Sequence, residues 1–201
     1  MEQNQYKETI LLADANYLDA TAGGLKVFLE HKMGRQLPIA DLATWIVNAV
    51  MPIVWQRTED AANHDFSKQE TQVVFVCKKG KTTLHNVCPG NMLKEVDGMA
   101  FTEEQCGEFL MSVVEEEPIV EGEPLLVQSL EMLLTSKVVK RIIVMPDPEQ
   151  SIEAIQKMAE EEKDKDIEIL SMETDAEQGE VSVLGMSLLY ALGLTPTDLQ
   201  S

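Results

Sequence analysis

The chain has 201 residues, 44% hydrophobic and 25% charged, enough to bury a core of its own. Its 35 acidic against 16 basic residues give a formal charge of -19, which repels anionic membranes and nucleic-acid backbones, so nucleic acid is expected only through a metal site. No run approaches the ~20 apolar residues of a membrane-spanning helix, no secretory signal is visible, and Cys77, Cys88 and Cys106 lack Cys-x-x-Cys spacing. A cytoplasmic protein without a membrane segment or disulfide framework is the expectation.

Residues 9–14 read as a buried strand, short, apolar and stopped by Asp14. Leu18, Ala22, Leu25 and Leu29 then recur at helical spacing, which predicts a helix from about Asn16 to Met33. Asn16 with Asp19 reads as its capping pair, and Gly34 as its C-terminal stop. Gly23-Gly24 inside that helix suggest a close approach to the sheet. Pro38 opens a second helix carrying Ile39, Leu42, Ala43, Ile46, Val47 and Val50, and Pro52 is expected to end it. Trp45 falls off that stripe and reads as a large residue flanking the core.

Residues 57–71 are polar and aperiodic, a loop. A hairpin is expected next, 72–78 against 81–87 around Lys79-Gly80, with Phe75 opposite Leu84 and Val74 opposite His85. Residues 102–117 send two signals. Thr102-Glu-Glu-Gln105 resembles a capping box, whereas 109–114 read as a buried strand, and the strand is preferred. The last third alternates: helix 122–136, strand 141–145, helix 148–163, strand 167–172, and helix 183–192 ending at Gly193 before Pro196. The whole predicts one α/β domain, a three-layer, Rossmann-like, mostly parallel sheet with an inserted antiparallel hairpin and helices on both faces.

If the strands before Asp14 and Asp147 are parallel neighbours, both carboxylates emerge at one sheet edge. Asp19 would lean in from the first helix, and Glu149 or Glu173 from later loops. Clustered carboxylates with retained waters are how proteins hold Mg²⁺ or Mn²⁺, so Asp14, Asp19, Asp147 and Glu149 are the candidate metal ligands. Such a metal would activate water and neutralise a phosphate. The plainer role is local. Asp147-Pro148-Glu149-Gln150 has the form of a helix start, and Asp14 equally suits a cap or a structural hydrogen bond. His31, His64 and His85 have no ligand spacing, and neither a glycine-rich phosphate cradle nor a Gly-x-Ser-x-Gly elbow occurs. Residues 183–192 are apolar nearly all round, which suits the core or a homodimer interface.

Residues 10–18 and 141–149 resemble the first and later strands of PIN-like nucleases of the NYN subgroup. In that family, acids at the positions of Asp14, Asp147 and Glu149 would hold the metal for RNA cleavage. Here Asn16 follows Asp14 by two residues where the family usually has three. Over nearly its full length the chain is similar to a family of small uncharacterised bacterial proteins. The resemblance rests on its Asp-Ala-Asn-Tyr start, Leu37-Pro-x-Ala-Asp-Leu-x-x-Trp45, and Leu184-Gly-x-Ser-Leu-x-x-Ala-Leu-Gly193. It implies no activity. Two readings follow: a non-catalytic interaction or regulatory module, acting through a protein partner or a homodimer, or a divalent-metal-dependent phosphodiesterase of ribonuclease type.

Overall fold

The computed structural model describes residues 6–117, 123–172, 182–195 and 197–198. In chain order the strands and helices are β1 (Thr9–Asp14), α1 (Ala15–Met33), β2 (Ala40–Asp41), α2 (Leu42–Arg57), β3 (Glu70–Cys77), β4 (Val87–Cys88), β5 (Ala100–Glu103) and β6 (Gly107–Glu115). There follow α3 (Leu125–Thr135), β7 (Arg141–Met145), α4 (Ile152–Glu161), β8 (Asp166–Ile169) and α5 (Val183–Ala191). Six strands form one sheet in the order β5-β6-β3-β1-β7-β8, parallel except for β5.

β1 sits in the middle because it is apolar on both faces, and every one of its residues is buried. Side-chain alternation splits those residues between two cores. Leu11 and Ala13 join Val73, Phe75, Ile143 and the buried stripes of α1, α2 and α5. Ile10 and Leu12 face the other way, against Leu126, Leu130 and Leu133 of α3 and Ile155 of α4. Helices therefore cover both faces. From β1 the chain steps outward to β3 and β6, then returns past β1 to β7 and β8. The direction of winding reverses between β1 and β7, so a crevice opens there at the carboxyl ends of the strands.

Several local expectations give way to the tertiary structure. The hairpin at 72–87 does not form: β3 runs parallel between β1 and β6, and Phe75 is registered with Ala13 and Val113. Both edges of β3 are taken, so no strand can fold back on it. The Lys79-Gly80 turn does exist, with the Lys81 amide donating to the Lys78 carbonyl at 2.9 Å and Gly80 at φ 68. Beyond it the chain leaves the sheet and buries Leu84 and Val87 in the helical core instead. The antiparallel hairpin is β5–β6, so Thr102 belongs to a strand and not to a capping box. Gly107 is required at its turn: φ is 82, and a Cβ would collide with the Gln69 carbonyl.

α2 begins only at Leu42, where Asp41 caps the Thr44 amide at 2.7 Å, and it runs through Pro52 to Arg57. Ile53 and Val54 lie fully in the core beyond that proline. Burying the two gains about 3–6 kcal/mol, which offsets the ~3 kcal/mol of an interior proline. Trp45 is 1% exposed and packs against Phe75 with ring centroids 6.2 Å apart. α5 is largely buried within this same chain, against α2, as one of the two settings that its all-round apolarity suits. α4 starts at Ile152, four residues later than the Asp147-Pro148 signal predicts, because Asp147 closes a separate turn. Glu173 and Pro196 fall outside the described residues.

Candidate functional site at the switch point of the sheet

Asp14 is the last residue of β1 and the N-cap of α1, its Oδ1 accepting the Tyr17 amide at 2.8 Å. The cap is thus Asp14, not Asn16, since only Asp14 has the extended backbone that puts its side chain over the first free amides. Burial pushes the Asp14 carboxyl above its ordinary pKa of 3.8; the Tyr17 amide and the Lys78 ammonium pull it back, and the charge of Asp147 pushes it up again.

Asn16, released from capping, clamps the turn that follows β3. Its side-chain oxygen accepts the Lys78 amide at 2.7 Å and its nitrogen donates to the Lys81 carbonyl at 2.8 Å. One turn on, Asp19 accepts the amides of His85 and Asn86 at 2.8 and 2.6 Å. Asp19 therefore points to the 85–86 loop and leaves Asp14 and Asp147 without it. Gly23 completes this face: a Cβ there would lie 2.7 Å from the Asn86 side chain, so the glycine admits that loop and not the sheet. Gly24 has nothing within 4 Å.

Asp147 follows β7. Its carboxylate accepts the Glu149 amide at 3.1 Å and the Gln150 side-chain amide at 2.6 Å, while its carbonyl takes the amides of Gln150 and Ser151. Lys78 reaches across from β3 and donates to Asp147 Oδ2 at 3.3 Å. The structure therefore gathers Asp14, Lys78 and Asp147 at the reversal point, with exposed Glu149 on the rim. Around them lies a cleft of about 370 Å³ lined by Asn16, Tyr17, Lys78, Lys81, Asp147 and Glu149, with Ala20 and Pro148 as apolar walls. Among the described residues, no three His, Cys, Asp and Glu side chains converge so as to hold a metal ion.

Lys78 and Lys81 are the cleft residues that sequence reading passes over. Their signal is compositional: three lysines fall within 78–81 in a chain with 16 basic residues in all. A larger cavity of about 810 Å³ lies at the opposite edge of the sheet. There Lys7, Lys68 and Lys140 already pair with Glu70, Asp65 and Glu8, and Arg141 with Asp166.

Fold and cleft define an α/β protein with a polar, ligand-sized crevice at the switch point of a mostly parallel sheet. Residues 3–199 match a family of unknown function, DUF6621, and the chain belongs to that family. No curated protein and no solved structure matches it, and nothing in these comparisons supports the likeness to PIN-like nucleases. Among the described residues no helix is long and apolar enough to cross a membrane.

Proposed function

We propose that this protein is a non-catalytic interaction or regulatory module whose switch-point cleft receives a small polar ligand. The observation that carries the reading is the Lys78 ammonium, 3.3 Å from Asp147 and close enough to Asp14 to lower its pKa. A divalent ion bridging two strand-end carboxylates would have to sit beside them. In this chain a covalently attached cation neutralises them instead. The remaining acids support the same reading, because Asp19 is committed to two backbone amides and Asp147 also closes its own turn. The donor set therefore fits Mg²⁺ or Mn²⁺ poorly.

The competing reading is a metal-dependent phosphodiesterase with Asp14, Asp147 and Glu149 as ligands and Asp19 in support. Thermal unfolding of wild type and Asp14→Asn, titrated with Mg²⁺ and with Mn²⁺, separates the two. A specific site raises Tm by mass action. The module reading expects no saturable rise in either protein. A rise in wild type that Asp14→Asn abolishes would refute it and send the protein to assays on RNA.

A further inference from the structure

Two charged groups of the cleft remain uncommitted. Lys81 and Glu149 both line it, and both are exposed. Neither enters an ion pair or side-chain hydrogen bond among the described residues, in contrast to the Lys78–Asp147 pair beside them. From this we infer that the cleft binds a small zwitterion of the free amino-acid class, its carboxylate on Lys81 and its ammonium on Glu149. The inference rests on the reading of the cleft as a ligand site without a resident metal.

Three features point to this ligand class. First, opposite free charges in one small crevice are matched by a ligand carrying both, whereas a simple anion or cation leaves one of them facing a like charge. Second, a chain of charge -19 repels anions at long range but is indifferent to a net-neutral molecule. Third, the backbone that carries the lysine is held in place: Asn16 accepts the Lys78 amide and donates to the Lys81 carbonyl, so the turn is ordered before any ligand arrives. Tyr17, Ala20 and Pro148 supply an apolar wall for a side chain, and about 370 Å³ admits a metabolite but not a folded partner.

The test uses the full-length protein with EDTA present. The twenty free L-amino acids are screened by thermal shift, and hits are mapped through backbone amide NMR shifts. At least one amino acid should bind saturably and move the amides of Tyr17, Lys81 and Glu149. Acetate and ethylamine, each carrying half of the charge pair, should bind at least tenfold more weakly. Lys81→Met and Glu149→Gln should each weaken the hit by roughly tenfold or more, with Tm of the free protein unchanged, as both side chains are exposed and unpaired. No saturable amino acid, acetate as good as the amino acid, or variants that bind like wild type would each overturn the inference. Failure of the underlying reading has a different signature: Mg²⁺ alone would stabilise wild type through Asp14, whatever the amino acids do.

Discussion

Replacing Lys78 by Met tests whether the lysine does the work of a cation at the head of β1 and β7. Methionine keeps much of the side-chain bulk and removes only the charge. At the observed 3.3 Å, Coulomb's law gives about 1.3 kcal/mol in water and about 5 kcal/mol at an effective dielectric of 20. Lys78 is 31% exposed and Asp147 13%, so solvent screening brings the expected loss down to about 1–2 kcal/mol. In a chain of this length that is a fall in Tm of roughly 3–6 °C. The variant should also acquire a saturable response to Mg²⁺, which the module reading does not expect of wild type, because Asp14 and Asp147 lose the cation between them. At ten times Kd the ion would restore roughly 1.4 kcal/mol. Differential scanning fluorimetry with and without Mg²⁺ reads both effects. If Lys78→Met melts with wild type and gains no response, Lys78 is a surface side chain and the built-in-cation argument fails.

Asp14 should show the opposite pH sign from an ordinary salt-bridged acid. Its carboxyl pKa is raised on folding, so its ionised form costs stability at neutral pH, and that cost is relieved as pH falls through the folded value. Asp14→Asn keeps an acceptor for the Tyr17 amide and should stabilise at pH 7, with the gain fading as pH falls through the folded value and gone below pH 3.8 in urea melts, whereas Asp14→Ala should lose about 1 kcal/mol with the cap. In α1, Gly24→Ala has open space and should gain about 0.5–1 kcal/mol; Gly23→Ala must displace Asn86 from 2.7 Å and should gain nothing, a contrast that chemical denaturation resolves. Buried Cys77 and Cys106 have thiols pushed up to about 12 by desolvation, whereas Cys88 is exposed, so a disulfide-exchange reagent should titrate one thiol in the native protein and three in guanidinium.

The parallel core was legible wherever one signal dominated. Residues 9–14 and 141–145 are apolar runs ending in turn chemistry, and both are strands within those limits. The first helix and its glycine stop were equally plain: Gly34 takes the left-handed conformation and its amide returns to the Glu30 carbonyl. Legibility failed where distant packing outweighed a local cue. Pro52 is a strong stop signal, yet the burial of Ile53 and Val54 carries α2 past it. Lys79-Gly80 makes the turn it promises, but a turn does not say which edge is free, and both edges of β3 are occupied. At the site, sequence put Asp14 and Asp147 at one edge of the sheet only on condition that their strands are parallel neighbours, which β1 and β7 are. It could not place Lys78, because the reach of a lysine across to a neighbouring strand end depends on strand order, which no local pattern carries.

Asp19, one of the four candidate metal ligands, makes a different sense beside its neighbours Asn16 and Gly23 once their partners are known. Asn16, Asp19 and Gly23 are spaced three and four apart, on one face of α1. Each is turned toward the 78–86 segment: Asn16 holds the Lys78 amide and the Lys81 carbonyl, Asp19 holds the amides of His85 and Asn86, and Gly23 makes room for the Asn86 side chain. Parts of this loop pair with other backbone, as Leu84 with Gly90 and Asn86 with Ala40, and side chains of the helix satisfy the amides of Lys78, His85 and Asn86 and the Lys81 carbonyl. Polar residues at these spacings arise from that requirement without any metal or substrate. The arrangement also fixes Lys78 and Lys81 relative to the first turn of α1, where Asp14 and Tyr17 sit. Asn16, Asp19 and Gly23 together therefore support a lysine-bearing loop. Releasing that support with Asn16→Ala should weaken ligand binding while every charged group of the cleft remains in the chain.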